Sequence, residues 1–195
     1  MESDILFDNV PNKSKKVTAS VIEWIEVVVF PIVGILLLNV FFLNNVAVKG
    51  DSMLPTLHDK EQMLVFRYVF TNPKPKDIVI IENIKIPGHE RIVKRIIAGS
   101  GQRFKISSSG GVYVDGKLLD EPYINEPIKA LQANMTNMKL DQEIVVSKGE
   151  YVVLGDNRNY SSDSRDIRIG YVKKKDIVGR AAFVLVPISD FRILH

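Results

Sequence analysis

Lys49-Gly50-Asp51-Ser52-Met53-Leu54-Pro55-Thr56-Leu57 is the stretch from which the rest of the chain reads. It sets one serine between an aspartate and a methionine, on a turn ended by Pro55. Gly50 lets the backbone bend or be approached closely, and Pro55 keeps Leu54 extended. Alone, such a serine reads as an ordinary turn hydroxyl. Two later stretches change that reading: Arg91-Ile92-Val93-Lys94-Arg95-Ile96-Ile97, and Gly155-Asp156-Asn157-Arg158 running on to Ser161-Ser162-Asp163-Ser164-Arg165.

Upstream lies the only long apolar run. Val21 to Leu43 is 23 residues, about 34 Å as a helix against a hydrocarbon core of roughly 30 Å. Glu23 and Glu26 interrupt its first turns with Trp24 between them, an arrangement suited to a membrane interface. Pro31 and Gly34 are compatible with a kinked span. The run predicts a transmembrane anchor over 21–43 behind a polar tail, 1–20. Lys13, Lys15 and Lys16 before it, and few basic residues just after it, put the N-terminus inside and residues 44–195 outside. Two competing readings are a cleaved leader, disfavoured by the long core and the poor cleavage site Asn44-Asn45-Val46-Ala47, and a buried core helix.

Composition narrows the function classes. With 195 residues and 46% apolar content, the chain has room for an anchor and one domain. A formal charge of +3, with lysines and arginines interleaved among acids, gives no footprint for nucleic acid. The absence of cysteine excludes disulfides, thiol nucleophiles and cysteine metal sites.

Downstream of the anchor the pattern predicts mainly β structure. Gln62–Val69, Asp77–Glu82 and Arg91–Ala98 are short runs rich in branched and aromatic residues, the first two separated by Pro73 and Pro75. Val112-Tyr113-Val114, the turn Asp115-Gly116 and Lys117-Leu118-Leu119 read as a hairpin. Residues 143–147, 151–154 and 181–186 supply further strands. A short helical turn is expected near 169–176, and a weakly patterned excursion over 125–140.

A serine needs a base before it attacks an amide. None of the three histidines, His58, His89 and His195, has a carboxylate in a motif setting to orient it. Lys94 has a physical argument. Strand periodicity puts it on one face with Ile92 and Ile96, and desolvation there favours the neutral amine. Lowering a lysine pKa from about 10.4 to about 8 takes roughly 3 kcal/mol. The competing reading is an edge lysine reaching past the isoleucines into water. The third stretch likewise reads as a solvated loop with a weak surface pair, or as a shell of Gly155, Asp156, Asn157, Ser161, Asp163 and Arg165 that holds Lys94 in place.

Together, the apolar run, Gly-Asp-Ser-Met-Leu-Pro-Thr-Leu, Lys-Pro-Lys-Asp-Ile-Val, Val-Lys-Arg-Ile-Ile, Val-Asp-Gly-Lys-Leu-Leu-Asp-Glu-Pro-Tyr and Gly-Asp-Asn-Arg with Ser-Ser-Asp-Ser-Arg resemble the type I signal peptidases. These are membrane-anchored serine proteases of the Ser-Lys kind, and the single anchor and short length are similar to the Gram-positive form. The resemblance implies Ser52 as nucleophile and Lys94 as general base, with Ser161 orienting the amine by a hydrogen bond. It implies Asp163 paired with Arg165, a loop shaped by Gly155, Asp156, Asn157 and Arg158, and Met53 in the substrate cleft. It further implies coiled β-sheets with a variable lobe at about 104–148, and no cofactor or metal.

The partners it implies are preproteins with signal peptides, pilins among them, and the lipid bilayer. The chain departs from the family pattern at Gly50, where some relatives carry a serine that donates to the oxyanion. It departs again at Ala98-Gly99-Ser100-Gly101-Gln102, and in the shortness of the variable lobe. Three alternatives share the scaffold or the chemistry: a pilin-processing peptidase, a non-catalytic pilus-assembly factor, and a self-cleaving repressor. The last would need a DNA-binding helix pair where this chain has an apolar span.

Overall fold

The computed structural model describes residues 23–68, 72–82, 91–129 and 138–194, with backbone alone for 37–43. The tail 1–20, His89 and His195 lie outside the described residues, as do Val21, Ile22 and residues 130–137. The chain divides into two compact units, one ending at Phe41 and the other beginning at Phe42.

In the first unit, the backbone is helical from Glu23. Ile25–Val29 form a π-helical turn, and α1 spans Phe30–Phe42. The expected helix ends one residue early, because Leu43 opens a strand. With the π turn interrupting the α-helical pattern, no helix among the described residues is long and apolar enough to cross a membrane. Apart from Glu23 and Glu26 the described side chains of this helical segment are apolar, and Trp24, Ile25, Val27, Val28, Val29, Phe30, Ile32, Val33, Ile35 and Leu36 are all exposed.

The second unit is built of strands. They are β1 (Leu43–Ala47), β2 (Gln62–Arg67), β3 (Ile78–Glu82), β4 (Arg91–Ala98), β5 (Arg103–Ile106), β6 (Val112–Val114), β7 (Lys117–Leu118), β8 (Ile144–Val145), β9 (Glu150–Leu154), β10 (Val172–Lys173), β11 (Ile177–Val186) and β12 (Arg192–Ile193). The large sheet runs in the order β1-β2-β11-β3-β4-β9-β10, with β12 also on β11. A four-stranded sheet, β7-β6-β5-β8, is built from the four strands β5 to β8. All pairings given by register are antiparallel.

Local chemistry explains most strands. β4 has the predicted bounds, because eight residues alternate or bury apolar side chains without a turn former. Asp115 (φ 53°) and Gly116 (φ 76°) both occupy the left-handed region, the requirement of a two-residue hairpin turn of type I′. The 98–102 loop closes on itself: Gln102 N donates to Gly99 O (3.1 Å), and Gly99 N donates to the Gln102 side chain (2.9 Å). Where a helical turn was expected near 169–176, β10 pairs with β9 and only Lys174–Asp176 form a 3-10 turn. The pull of a sheet edge outweighs the weak local helical preference there.

Among the described residues, three apolar clusters form the core of the unit. One joins Val48, Met53, Leu57, Met63, Val65, Ile78, Ile80, Ala181, Val184 and Leu194 beneath the Ser52 turn. A second contains Phe104, Ile106, Val112, Ile128 and Met138 with Leu154 under the smaller sheet. A third holds Val79, Ile81, Ile92, Ile96 and Val153.

Gly179 on β11 lies so close to β2 that a methyl group there would overlap the Phe66 carbonyl and crowd Val65. Gly179→Ala is expected to destabilise the chain by about 1–3 kcal/mol, the usual cost of overpacking. Chemical unfolding of the full chain checks this, and an unchanged midpoint would contradict the strand spacing.

Candidate active site

The Ser52 turn begins where Gly50 takes φ 79°, a conformation that costs a side-chain-bearing residue dearly. Gly50 N donates to Asp59 Oδ1 at 2.8 Å, and Leu57 N to Met53 O at 2.9 Å. Met53 and Leu57 are buried and moor the turn to the first apolar cluster. Ser52 itself is half-buried, at the wall of a cleft of about 930 Å³.

Lys94 arrives from β4. Its cross-strand partner is Val79, and Val79, Ile92 and Ile96 are all buried. Lys94 is only 3% exposed, so the reading of a lysine reaching into water fails. Its Nζ donates to Ser52 Oγ at 2.7 Å and to Val93 O at 2.8 Å. Burial pushes the amine pKa down to about 8. The carboxylates of Asp163 and Asp156 oppose that shift, and Arg165 adds to it.

The loop after β9 fastens the Ser52 turn and β4 together. Asn157 N donates to Ser52 O (3.1 Å), and Asn157 Nδ2 to Asp51 O (3.0 Å). Asp156 accepts Arg95 Nε (2.9 Å), Arg95 Nη2 (2.7 Å) and Thr56 Oγ1 (2.5 Å). One carboxylate thus bridges the strand of Lys94 to the turn of Ser52. Asp163 accepts both Arg165 Nε and Nη2 at 2.8 Å and the Gly155 amide at 3.0 Å. Arg158 donates through Nε to Gly155 O (3.1 Å) and through both terminal nitrogens to Glu121. Gly155 has no room for a side chain, since a methyl there would overlap Ser161 and Ser52 O.

One expectation needs correction. Ser161 is buried, but its Oγ has no hydrogen-bond partner. The Lys94 amine is engaged by Ser52 and the Val93 carbonyl instead, so no hydrogen bond from Ser161 orients it. Met53 lines the cleft while also belonging to the core. His58 is exposed and faces Glu61 at 3.5 Å, whereas the group on the Ser52 hydroxyl is an amine. Among the described residues, no three His, Asp or Glu side chains converge to hold a metal ion.

Several positioning groups escaped the sequence reading. Arg95 is fully buried and lies 4.0 Å over the Tyr123 ring. Thr56 is held at both ends, its hydroxyl by Asp156 and its carbonyl by Arg192 (2.7 Å), which also pairs with buried Glu61. Burial raises the Glu61 pKa, but Arg192 and the His58 amide outweigh it and leave the carboxyl below its usual range. A signal was present for Arg95: an arginine inside an apolar strand requires a carboxylate.

Two strand edges face the cleft. β1 ends the sheet order, and Val46, Ala47 and Val48 line the cleft on one side. Across from them, Arg91, Ile92, Val93 and Lys94 pair with β3, while β9 first meets β4 at Arg95. Among the described residues, the other edge of 91–94 carries no strand.

A serine and a buried lysine at bonding distance, framed by matched buried arginines, narrow the comparison with known proteins. The family described as signal peptidase, peptidase S26, matches residues 21–186. The chain belongs to that family. Signal peptidase I of Bacillus licheniformis is 36% identical over 186 residues, covering 92% of this chain and 96% of that protein. Signal peptidase I T of Bacillus subtilis is 34% identical, covering 94% and 95%. Signal peptidase IB of Staphylococcus aureus is 31% identical, covering 88% and 93%. Membership in this family makes the chain a serine peptidase.

Two outcomes follow from the buried amine. As a general base Lys94 would act only when unprotonated, so kcat/KM should then fall about tenfold per pH unit below about 8. A rate flat down to pH 5 would exclude the amine. Between about 8 and its ordinary value of 10.5, the unfolded chain binds a proton that the folded chain does not, so stability rises with pH there. Below that window both states are protonated, and the folded state bears the full cost of burial. Lys94→Met should therefore be inactive yet more stable at pH 7, by on the order of 1–3 kcal/mol, in equilibrium unfolding.

Proposed function

We propose that this serine peptidase removes N-terminal signal peptides from exported preproteins, with Ser52 as nucleophile and Lys94 as general base. The observation that carries the reading is the 2.7 Å contact between Lys94 Nζ and Ser52 Oγ, made by a lysine kept from water. At that distance proton transfer needs no rearrangement. The neutral amine takes the Ser52 proton as Oγ attacks the scissile carbonyl carbon. The oxyanion that forms is held by backbone N–H, that of Ser52 first, since Gly50 offers no hydroxyl. The lysinium then gives its proton to the leaving amine as the C–N bond breaks. Lys94 next takes a proton from water as the water oxygen attacks the ester carbon, and returns it to Ser52 Oγ as the acyl–oxygen bond breaks, which frees Ser52 and restores the neutral amine.

The substrate is an extended peptide added to the open edge of β4, facing β1 across the cleft. Val46, Val48, Met53, Ile92 and Val93 give that slot an apolar lining, suited to small side chains just upstream of the cut. Residues 21–43 serve as a single-pass anchor with the N-terminus cytoplasmic and the catalytic domain outside. The support is the apolar surface around the helix, the lysines before it and the family itself. The anchor would keep Ser52 near the outer membrane face, where cleavage sites emerge. A pilus-assembly factor without catalysis would have no use for the Ser52–Lys94 pair.

Ser52→Ala should slow processing of a membrane-inserted preprotein by at least about a thousandfold, the scale of losing a catalytic serine. Unchanged processing would refute the nucleophile. In intact cells, external protease should reach the catalytic domain, and full protection would refute the orientation.

A further inference from the structure

The open slot along β4 has a definite end. Lys94 is the last residue before β9 takes up the neighbouring position at Arg95. A peptide lying along 91–94 therefore meets Ser52 at the final open rung, and its continuation leaves the sheet. It must then cross the loop that follows β9, whose cleft-lining residues are Tyr160 and Ser162. The apolar slot takes the segment upstream of the cut in the reading above, so the segment crossing the loop is the leaving chain.

Tyr160 is 75% exposed, yet its backbone is tied into the loop. Its N–H donates to Asn157 O at 3.0 Å, and Asn157 N is tied to Ser52 O at 3.1 Å. Neighbouring Asn159 donates to Glu126 (2.7 Å) and Pro127 O (3.1 Å), and Ser161 on the other side is buried. The result is an aromatic ring presented to solvent at a set offset from the nucleophile, on a loop that costs little further ordering when a chain lies across it.

We propose that Tyr160 determines specificity on the leaving side: its ring packs against an apolar side chain at the first or second residue after the cut. The proposal rests on the Ser52–Lys94 reading and extends it from the acyl segment to the mature segment.

Two peptides, identical through the cut, test it, one with leucine and one with glycine at both following positions. The full-length enzyme should cleave the leucine peptide with kcat/KM about three- to tenfold higher, the scale of one aromatic packing contact. Tyr160→Ala should bring that ratio close to one, and Tyr160→Phe should keep it. A wild-type ratio of one, a ratio unchanged in Tyr160→Ala, or its collapse in Tyr160→Phe would each overturn the proposal. Cleavage of either peptide by Ser52→Ala at the wild-type rate would instead overturn the assignment of the nucleophile.

Discussion

A buried amine, with a hydroxyl as its partner, is the constraint on which the rest of this molecule depends. A lysine in water holds its proton at neutral pH and is useless as a base. Here Lys94 is buried, and that burial lowers its pKa to about 8 and makes the neutral amine accessible. The cost is carried by the fold. Folding has to place a charged or strained group where hydrocarbon would be more stable, a common feature of sites built for chemistry.

Holding that amine beside Ser52 requires tying together segments far apart in the chain. The surrounding shell does so with charges that are themselves buried. Arg95, Arg158 and Arg165 are each about 1% exposed, and each meets a carboxylate: Asp156, Glu121 and Asp163. Removing one partner from such a pair costs several kcal/mol, because the other charge is stranded. The pairs are therefore weak evidence for net stability but strong determinants of geometry. Asp156 reaches β4 and the Ser52 turn with one carboxylate, while Glu121 and Tyr123 bring the smaller sheet's segment into contact with the same arginines. Displacing the loop would break several of these bonds together.

Individual residues show how much was legible beforehand. β4 was readable to its ends because periodicity and the absence of turn formers agree. The Asp115-Gly116 hairpin was readable because few residues tolerate its backbone angles. β1 was not, since Leu43 continues an apolar run and its strand character comes from pairing with Phe66. β10 and β12, two residues each, have too little pattern to announce themselves and exist because a neighbouring edge is available. Ser161 was assigned a bond to Lys94 that its buried, unpartnered hydroxyl does not make.

By itself, the sequence determined the β-rich class, the candidate nucleophile and base, and the composition that rules out thiol chemistry. These are properties of local pattern and residue type. Only the tertiary structure decided which partner the Lys94 amine holds, how completely that amine is dried, which carboxylate serves which arginine, and where the open edge of β4 stops. Most of those depend on contacts between residues far apart in the chain, 42 positions for Lys94 and Ser52 and 61 for Arg95 and Asp156, and no local pattern encodes a distance across a sheet.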